Sequence, residues 1–250
     1  MIYIYYDLGD LRRVGRVQEM LALMVARHAG ALVRAPLTLA NRTSHNLVAP
    51  HGSSTAAIHA DNVPNEWAFS TANDVSPPIS LSTTYEYPKP GEGGHVYHRI
   101  SNPTRERCEA LLGAVEGTPD ATAHAVLYAS GLAATFGALS RLLPRRIAIS
   151  GGYHGTHLVI DQLSRISGGT RCQKIPLPPP DEAAAALQPG DLIFLETPRN
   201  PDCIVADVAA YVEAARAVGD VSVVVDGTFA CVRRRFDRSL IAATSTHSMF

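Results

Sequence analysis

The amino-acid sequence predicts an α/β fold, with a mainly parallel β-sheet covered by helices on both faces. From Asn102 onward, short apolar segments alternate with longer segments of helical periodicity, which is the pattern of successive βαβ units. In addition, Val223, Val224 and Val225 stand together and Asp226 follows them directly. A continuous β-branched run of this kind predicts a strand buried on both faces, as in parallel sheets.

The alternation defines each element in turn. The predicted strands are Ala125 to Tyr128, Arg146 to Ser150, Gln173 to Leu177, Asp191 to Glu196 and Val221 to Val225. The predicted helices are Thr104 to Val115, Leu132 to Leu142, Thr156 to Ile166, Asp181 to Leu187 and Val205 to Val218. Gly219 is expected to close the last helix, because glycine readily adopts the backbone conformation found just after helix ends.

Four regions are expected along the chain. Residues 1–50 form a divergent N-terminal extension, which we expect to be poorly ordered or loosely packed. Residues 51–101 are rich in Gly, Pro, Ser and Thr. They predict an extended arm laid over a neighbouring surface, with a disordered linker as the alternative. Residues 102–230 form the α/β domain, and residues 231–250 form a divergent tail.

The composition limits the classes of partner. The chain has 250 residues, of which 46% are hydrophobic and 18% charged, as in soluble globular proteins. Its net charge of −1 gives no electrostatic reason to expect nucleic acid or an anionic membrane. No apolar run reaches the roughly 18 residues of a transmembrane helix. We therefore predict neither nucleic-acid nor membrane binding.

The cysteines indicate a reducing compartment. They are widely spaced and include no C-x-x-C pair: Cys108, Cys172, Cys203 and Cys231. Neither a zinc site nor a disulfide framework is indicated, so we expect a cytoplasmic protein. The arginine-rich stretch Leu11 to Ala35 makes a mitochondrial location the alternative, although Asp7, Asp10 and Glu19 weaken that interpretation.

Polar, turn-forming residues follow the predicted strands. Because open α/β sheets bind ligands beyond the carboxyl ends of their strands, these residues are candidates for a binding site. Ser130 and Gly131 begin a helix, where free N–H groups and the helix dipole favour an anion such as phosphate. A simple helix cap is the alternative for this turn.

Three further strand ends carry candidate residues. Tyr153 lies on a glycine-flanked loop, where it is placed either to stack on a planar ligand or simply to lie at the surface. Asn200 lies in the stretch E-T-P-R-N-P, which its two prolines stiffen. Asp226 ends an apolar strand, and a carboxylate there needs a cationic or hydrogen-bonding partner. A helix cap or a turn is the alternative for Asp226.

The order of these motifs resembles the pyridoxal-phosphate-dependent enzymes of cysteine and methionine metabolism, the trans-sulfuration family. The shared order is a phosphate-type turn, an aromatic loop, E-T-P-x-N-P and V-V-V-D-x-T-F. The resemblance begins near Ser54, runs through P-P-I-S-L-S-T-T-Y and Y-H-R-I-S-N-P-T-R, and ends at about Ala230. It implies the large domain of the fold type I pyridoxal-phosphate transferases, and an enzyme such as cystathionine γ-synthase, γ-lyase or β-lyase.

The resemblance also implies roles for single residues. Asp226 would pair with the pyridinium nitrogen of pyridoxal 5'-phosphate, Tyr153 would stack on its ring, and Asn200 would contact its phenolic oxygen. The backbone of Gly131 and Leu132 would hold its phosphate.

Three more residues are implied near the cofactor. Thr228 would make a further contact, and a neighbouring subunit would contribute Tyr97 and Arg99 to the phosphate. The resemblance thus implies a homo-oligomer, a dimer of dimers in intact members, that acts on a small amino-acid substrate.

The lysine that forms a Schiff base with the cofactor in this family has no counterpart here. The family has a Ser-x-Thr-Lys run where this chain has only Ser245-Thr246-His247, and no strand is predicted after Ala230. The sole lysines, Lys89 and Lys174, lie in the arm and in a strand, away from the candidate site. We therefore expect a truncated, inactive chain whose Val221 to Val225 are exposed at the flank of an incomplete sheet.

Two other classes of protein stay open at this point. One is a non-catalytic subunit or pseudoenzyme with the same fold, and the other is a different α/β ligand-binding domain. A nucleotide-binding domain is disfavoured, because no G-x-G-x-x-G follows the first strand and no G-K-[ST] occurs. The sequence does not choose among γ-synthase, γ-lyase and β-lyase.

Overall fold

Seven strands form one sheet in the part of the chain that the computed structural model describes, residues 2–6, 78–87, 94–116, 123–230 and 246–249. The strands are β1 (Ile2–Tyr6), β2 (Ala123–Leu127), β3 (Arg146–Ile149), β4 (Gln173–Pro176), β5 (Leu192–Glu196), β6 (Ser222–Asp226) and β7 (Thr246–Met249). The helices are α1 (Pro103–Glu116), α2 (Gly131–Leu142), α3 (His154–Ile166), α4 (Pro180–Ala186) and α5 (Val208–Val218).

The sheet is mainly parallel, as predicted. Its strand order is β2-β1-β7-β6-β5-β3-β4. The pairs β3–β4, β3–β5, β5–β6 and β6–β7 are parallel, whereas β1 runs antiparallel to both β2 and β7. Because β1 reverses direction twice relative to its neighbours, β2 points the same way as β3, β5 and β6. The carboxyl ends of these four strands therefore lie at one edge of the sheet.

Helices cover both faces of the sheet, which confirms the predicted layers. On one face α2 and α3 pack over the core residues Ala134, Ala138, Leu139, Ile147, Ile149, Ile160, Leu163, Cys172, Leu192, Phe194 and Val224. On the other face α4 and α5 pack over Ala148, Ala183, Leu187, Ile193, Leu195, Val208, Tyr211, Val212, Ala214, Ala215, Val221, Val223 and Val225. The valines of β6 thus alternate between the two cores, as side chains along a strand must.

The prediction that Val221 to Val225 are exposed is wrong. The exposed fractions of Val221, Val223, Val224 and Val225 are 5%, 0%, 0% and 1%. β6 is an interior strand, since β5 pairs with it on one side and β7 on the other.

Two strands lie where none was predicted. β7 forms after Ala230 and pairs in parallel with β6, with Met249 opposite Asp226. β1 lies within residues 1–50, where we expected a loosely packed extension, and its backbone pairs with β2 and β7. Short segments near the two ends of the chain thus extend the sheet beyond β6. Residues 7–50 lie outside the described part, so the expectation for them is untested.

Two helices begin more than one residue away from the predicted start, and local capping explains one of these differences. α5 begins at Val208 rather than Val205, because Asp207 caps it by accepting a hydrogen bond from the Ala210 N–H at 3.0 Å. α3 begins at His154, two residues before the predicted start. Gly219 ends α5 with φ of 75° and donates to the Ala215 carbonyl at 3.0 Å, as expected.

The arm contains little regular structure in its described residues, 78–87 and 94–101. An isolated antiparallel bridge joins Thr84 to Tyr97. The backbone of Ser80 donates to Thr104 Oγ1 at 2.8 Å, which ties the arm to the beginning of α1. The described residues contain no helix long and apolar enough to cross a membrane.

A buried ion pair stabilises the amino-terminal edge of the sheet. Arg146 at the start of β3 donates from Nε and Nη2 to the two oxygens of Asp191, at 3.0 and 2.5 Å. Asp191 is 3% exposed and also accepts the Gln188 N–H at 2.8 Å. The hydrogen bond and charge of Asp191 raise the pKa of Arg146. This bidentate pair joins β3 to the turn before β5.

Candidate functional site

The predicted site residues on the sheet gather at its carboxyl edge. β3, β5 and β6 lie side by side, and Glu196 pairs in register with Asp226 at their ends. The Thr197 N–H donates to the Asp226 carbonyl at 3.0 Å, so the chain leaving β5 is bonded to the end of β6. The loops that carry Tyr153 and Asn200 begin at this same edge.

Asp226 presents one bonded and one free carboxylate oxygen. The residue is 8% exposed. Its Oδ1 accepts two hydrogen bonds from Thr228, from Oγ1 at 2.6 Å and from the backbone N–H at 3.0 Å. Within the described residues Oδ2 has no hydrogen-bond partner. A buried carboxylate with an unused oxygen is suited to a cationic N–H donor.

Glu196 links two loops of the site, a contact that the sequence interpretation missed. Its Oε2 accepts the Tyr153 N–H at 2.6 Å, and its Oε1 accepts the Asn200 N–H at 2.8 Å. The carboxylate lies directly against Gly152, since a β-carbon built there would fall 2.3 Å from Oε2. The signal in the sequence was an acidic residue at the last position of a buried strand.

The Tyr153 ring lies beside the beginning of α2. A β-carbon built on Gly155 would fall 2.5 Å from Tyr153 Cε1 and 2.9 Å from Leu132 Cδ2, so only glycine fits between these two side chains. Tyr153 is 37% exposed, and the His154 ring packs at 4.8 Å from its centroid. The aromatic ring is thus partly open to solvent and close to the predicted phosphate turn.

The beginning of α2 offers two free amides. Ser130 caps the helix through its side chain, which accepts the Ala133 N–H at 3.2 Å, so the alternative interpretation as a cap is correct for this side chain. The N–H groups of Gly131 and Leu132 have no acceptor in the described part of the chain. First-turn amides of this kind, at the positive end of the helix dipole, bind anions.

Asn200 reaches the site through its backbone bond to Glu196. Its side-chain amide has no hydrogen-bond partner among the described residues, and the residue is half-buried. Arg199 beside it pairs with Asp202. The Asn200 amide is therefore available to a ligand.

Tyr97 and Arg99 pack on each other. The Arg99 guanidinium carbon lies 4.6 Å from the Tyr97 ring centroid. Across the described ranges, no hydrogen bond, ion pair or ring contact joins either residue to Tyr153, Asn200 or Asp226. The structure thus places the six other predicted site residues at one edge, and among the described residues no contact links this pair to them.

Burial affects two titratable groups behind the phosphate turn. Tyr128 packs against α2, with its hydroxyl 2.6 Å from a β-carbon built on Gly137. Burial and the nearby Glu109 raise the pKa of Tyr128. Burial also raises the pKa of Glu109, whose Oε1 accepts the Leu127 N–H at 2.9 Å. Glu109 thus holds the end of β2 against α1, and Tyr128 packs the following residue against α2.

Lys174 is engaged elsewhere. Its ammonium pairs with Asp161 at 2.7 Å, on the edge strand β4. Lys89 lies outside the described residues. Where the structure describes the chain, no group of three or more His, Cys, Asp or Glu side chains is arranged to hold a metal ion.

Comparison with known proteins identifies the family. The model of the family "Cys/Met metabolism PLP-dependent enzyme" matches residues 54–234. The chain belongs to this family. The predicted resemblance is thereby confirmed, together with its α/β fold and its dependence, as a family, on pyridoxal phosphate.

The curated relatives are enzymes of sulfur amino-acid metabolism. The chain is 35% identical over 200 residues to putative cystathionine gamma-lyase 2 of Caenorhabditis elegans, covering 78% of this chain and 49% of that protein. It is 35% identical to the human cystathionine gamma-lyase over 184 residues, with 70% and 42% covered. A probable cystathionine gamma-synthase of Herpetosiphon aurantiacus is 34% identical, with 72% and 54% covered. The chain thus spans about half the length of the curated relatives it matches.

Solved structures share the fold. A cystathionine gamma-lyase from Micromonospora echinospora superposes with a TM-score of 0.60 at 36% identity, covering 73% of this chain and 46% of that one. The enzyme from Lactobacillus plantarum, solved with L-serine, gives a TM-score of 0.59 at 30% identity, with 73% and 46% covered.

The residues at the sheet edge fit the family's cofactor. The free amides of Gly131 and Leu132 suit a phosphate group, and the free oxygen of Asp226 suits a protonated ring nitrogen. The half-exposed ring of Tyr153 suits a planar partner. These three features match the phosphate group, the ring nitrogen and the planar ring of pyridoxal phosphate.

Proposed function

We propose that this chain binds pyridoxal phosphate at the carboxyl edge of its sheet, as part of an enzyme of the cystathionine γ-lyase or γ-synthase type. Such an enzyme forms or cleaves a C–S bond of a sulfur amino acid. The observation that carries the proposal is the juxtaposition of Asp226, Tyr153 and the free amides of α2 in a chain whose family depends on this cofactor.

Each residue has a distinct task in this proposal. Asp226 holds the proton on the ring nitrogen with its free oxygen, Tyr153 orients the ring by stacking, and the Asn200 amide binds the phenolic oxygen. The backbone of Gly131 and Leu132 binds the phosphate. When bound, pyridoxal phosphate supplies an electron sink for reactions at the α-carbon of an amino acid. A small amino-acid substrate agrees with the L-serine in the structure from Lactobacillus plantarum.

We further propose that the chain does not catalyse the reaction by itself. The sequence contains only two lysines, and the ammonium of Lys174 is paired with Asp161 on β4. An imidazole at His247 does not form an imine, so it does not replace the missing amine. Binding then rests on hydrogen bonds and stacking alone and is reversible.

A second candidate is a non-catalytic subunit with this fold. Its support is the same missing lysine, together with the Tyr97 and Arg99 pair, which makes no contact with the site within the described part of the chain. In this variant of the proposal, the pair contributes to the phosphate of a second copy or of a full-length relative. Both candidate functions are compatible with a homo-oligomer.

Equilibrium dialysis of the purified chain against pyridoxal phosphate tests the proposal. We expect saturable, reversible binding at one site per chain, and a large loss of affinity in Asp226→Ala. Cystathionine turnover should be undetectable in the same preparation. Absence of saturable binding, or equal binding by Asp226→Ala, would contradict the proposed site.

A further inference from the structure

Glu196 is the one residue at the sheet edge that bonds both loops of the site, as far as the described residues go. Its two oxygens accept one backbone N–H each, from Tyr153 at 2.6 Å and from Asn200 at 2.8 Å. The two donors lie on different loops, one after β3 and the other after β5. A single carboxylate therefore fixes the distance between those loops.

The position of the carboxylate is itself constrained. Glu196 ends β5 and pairs in register with Asp226, so its backbone is fixed by the sheet. On its other side the carboxylate lies against Gly152, where a β-carbon would fall 2.3 Å from Oε2 and 3.2 Å from Cδ. Gly152 also has φ of 128°, a conformation that other residues rarely adopt. The sheet thus fixes the backbone of Glu196, and the lack of a side chain at Gly152 leaves room for its carboxylate.

The charge of Glu196 also suits the beginning of α3. Tyr153 is the residue before this helix, and its own side chain makes no capping hydrogen bond. Negative charge near a helix N-terminus is favourable, because it faces the positive end of the helix dipole. Glu196, from a different segment, thus accepts the N–H of the N-cap residue and places its charge near the start of α3.

We propose that Glu196 is a positioning residue for the cofactor, which sets the separation between the Tyr153 ring and the Asn200 amide. It makes no contact with the cofactor in this proposal and acts through the two backbone bonds. The inference rests on the proposed binding of pyridoxal phosphate. The loops would keep their fold without Glu196 but lose their fixed spacing.

Two substitutions separate the roles of geometry and charge. Glu196→Gln keeps the size of the side chain, but its NH2 group does not accept a hydrogen bond, so one of the two N–H groups loses its acceptor. Glu196→Asp keeps the charge on a shorter side chain that does not reach both donors. The matched control is Glu182→Gln, an exposed position in α4.

The first measurement needs no cofactor. Amide hydrogen exchange, followed residue by residue by NMR, should be about tenfold faster or more at Tyr153 or Asn200 in Glu196→Gln, and in Glu196→Asp at one or both. The control should exchange at the wild-type rate. Wild-type protection of both amides in both variants would overturn the inference.

The second measurement uses pyridoxal phosphate. The dissociation constant should rise about fivefold or more in both Glu196 variants, and the induced circular dichroism of the bound cofactor should weaken at saturation. A merely structural role would lower the thermal midpoint and leave that band unchanged. Loss of protection with unchanged affinity and unchanged dichroism would overturn the positioning role.

The outcomes also separate this inference from the proposed function. If the wild-type chain binds no pyridoxal phosphate, the proposed function fails and the positioning role fails with it, while the exchange rates still decide whether Glu196 ties the two loops. If the wild type binds and the Glu196 variants bind equally well, the positioning role alone is wrong.

Discussion

Thr228 donates two hydrogen bonds to the same oxygen of Asp226, one from its hydroxyl at 2.6 Å and one from its backbone at 3.0 Å. This arrangement fixes the carboxylate plane and leaves Oδ2 without a partner among the described residues. The family resemblance implied a contact between Thr228 and the cofactor. The structure adds a bond through which Thr228 also orients Asp226.

The hydroxyl of Thr228 should matter for cofactor affinity. Thr228→Val keeps the shape of the side chain but removes one donor to the carboxylate, so Asp226 becomes less well oriented. We expect the dissociation constant for pyridoxal phosphate to rise roughly fivefold, measured by equilibrium dialysis. Thr228→Ser retains the donor and should remain within about twofold of wild type. Equal affinities in the Val and wild-type chains would contradict this orientation.

Gly155 should tolerate no side chain. A β-carbon there would lie 2.5 Å from Tyr153 Cε1, so Gly155→Ala must push the aromatic ring away. We expect a loss of stability of about 1–3 kcal/mol, measured by urea unfolding, together with weaker cofactor binding. Gly151→Ala is the matched control, because nothing lies within 4 Å of the added carbon. A Gly155→Ala chain with wild-type stability and affinity would show that Tyr153 does not pack there.

Among the ion pairs of the described residues, Arg146–Asp191 should contribute most to the free energy of unfolding. The Asp191 side chain is 2% exposed and its partner 27%. Asp191→Ala should therefore cost about 1.5–3 kcal/mol of unfolding free energy. The exposed pair of Lys174 with Asp161 provides the control, and Asp161→Ala should cost less than about 1 kcal/mol. Similar costs for the two substitutions would contradict the importance of burial.

Glu109 should make stability depend on pH. Because burial raises its pKa above the ordinary value of 4.5, ionisation of Glu109 disfavours the folded state. This cost to stability is fully present when the pH is above the raised pKa of the folded state. It disappears as the pH falls from that pKa to the lower pKa of Glu109 in the unfolded chain. Glu109→Gln keeps an acceptor for the Leu127 N–H and removes the cost.

Urea unfolding at several pH values checks this expectation. The Glu109→Gln chain should be more stable than wild type at neutral pH, and the two should converge below about pH 4.5. An advantage that grows as the pH falls would contradict the sign of the shift.

Much of the fold was predictable because its signals are local. The strand Val221 to Val225 was recognisable from its β-branched run, and Gly219 marked the end of α5. Its burial on both faces follows from that run, but the flank expected to be exposed is occupied by β7. That neighbouring strand was not predictable, because its pairing joins residues far apart in the sequence. The same holds for β1, a short apolar strand at the opposite end of the chain.

The candidate site shows a similar division. Asp226 ends a buried strand and Tyr153 and Asn200 follow buried strands, so their positions at one edge follow from the direction of a parallel sheet. The two hydrogen bonds of Glu196 depend on where two loops meet in space, and no spacing in the sequence encodes that position.

The most direct test of the proposed site asks how pyridoxal phosphate is held. The purified chain is incubated with the cofactor, reduced with borohydride, digested, and analysed for pyridoxyl-modified peptides. We expect reversible binding that saturates, with no stoichiometric modification of Lys89 or Lys174 and no turnover of cystathionine. Stoichiometric labelling of either lysine, together with cystathionine turnover, would contradict it.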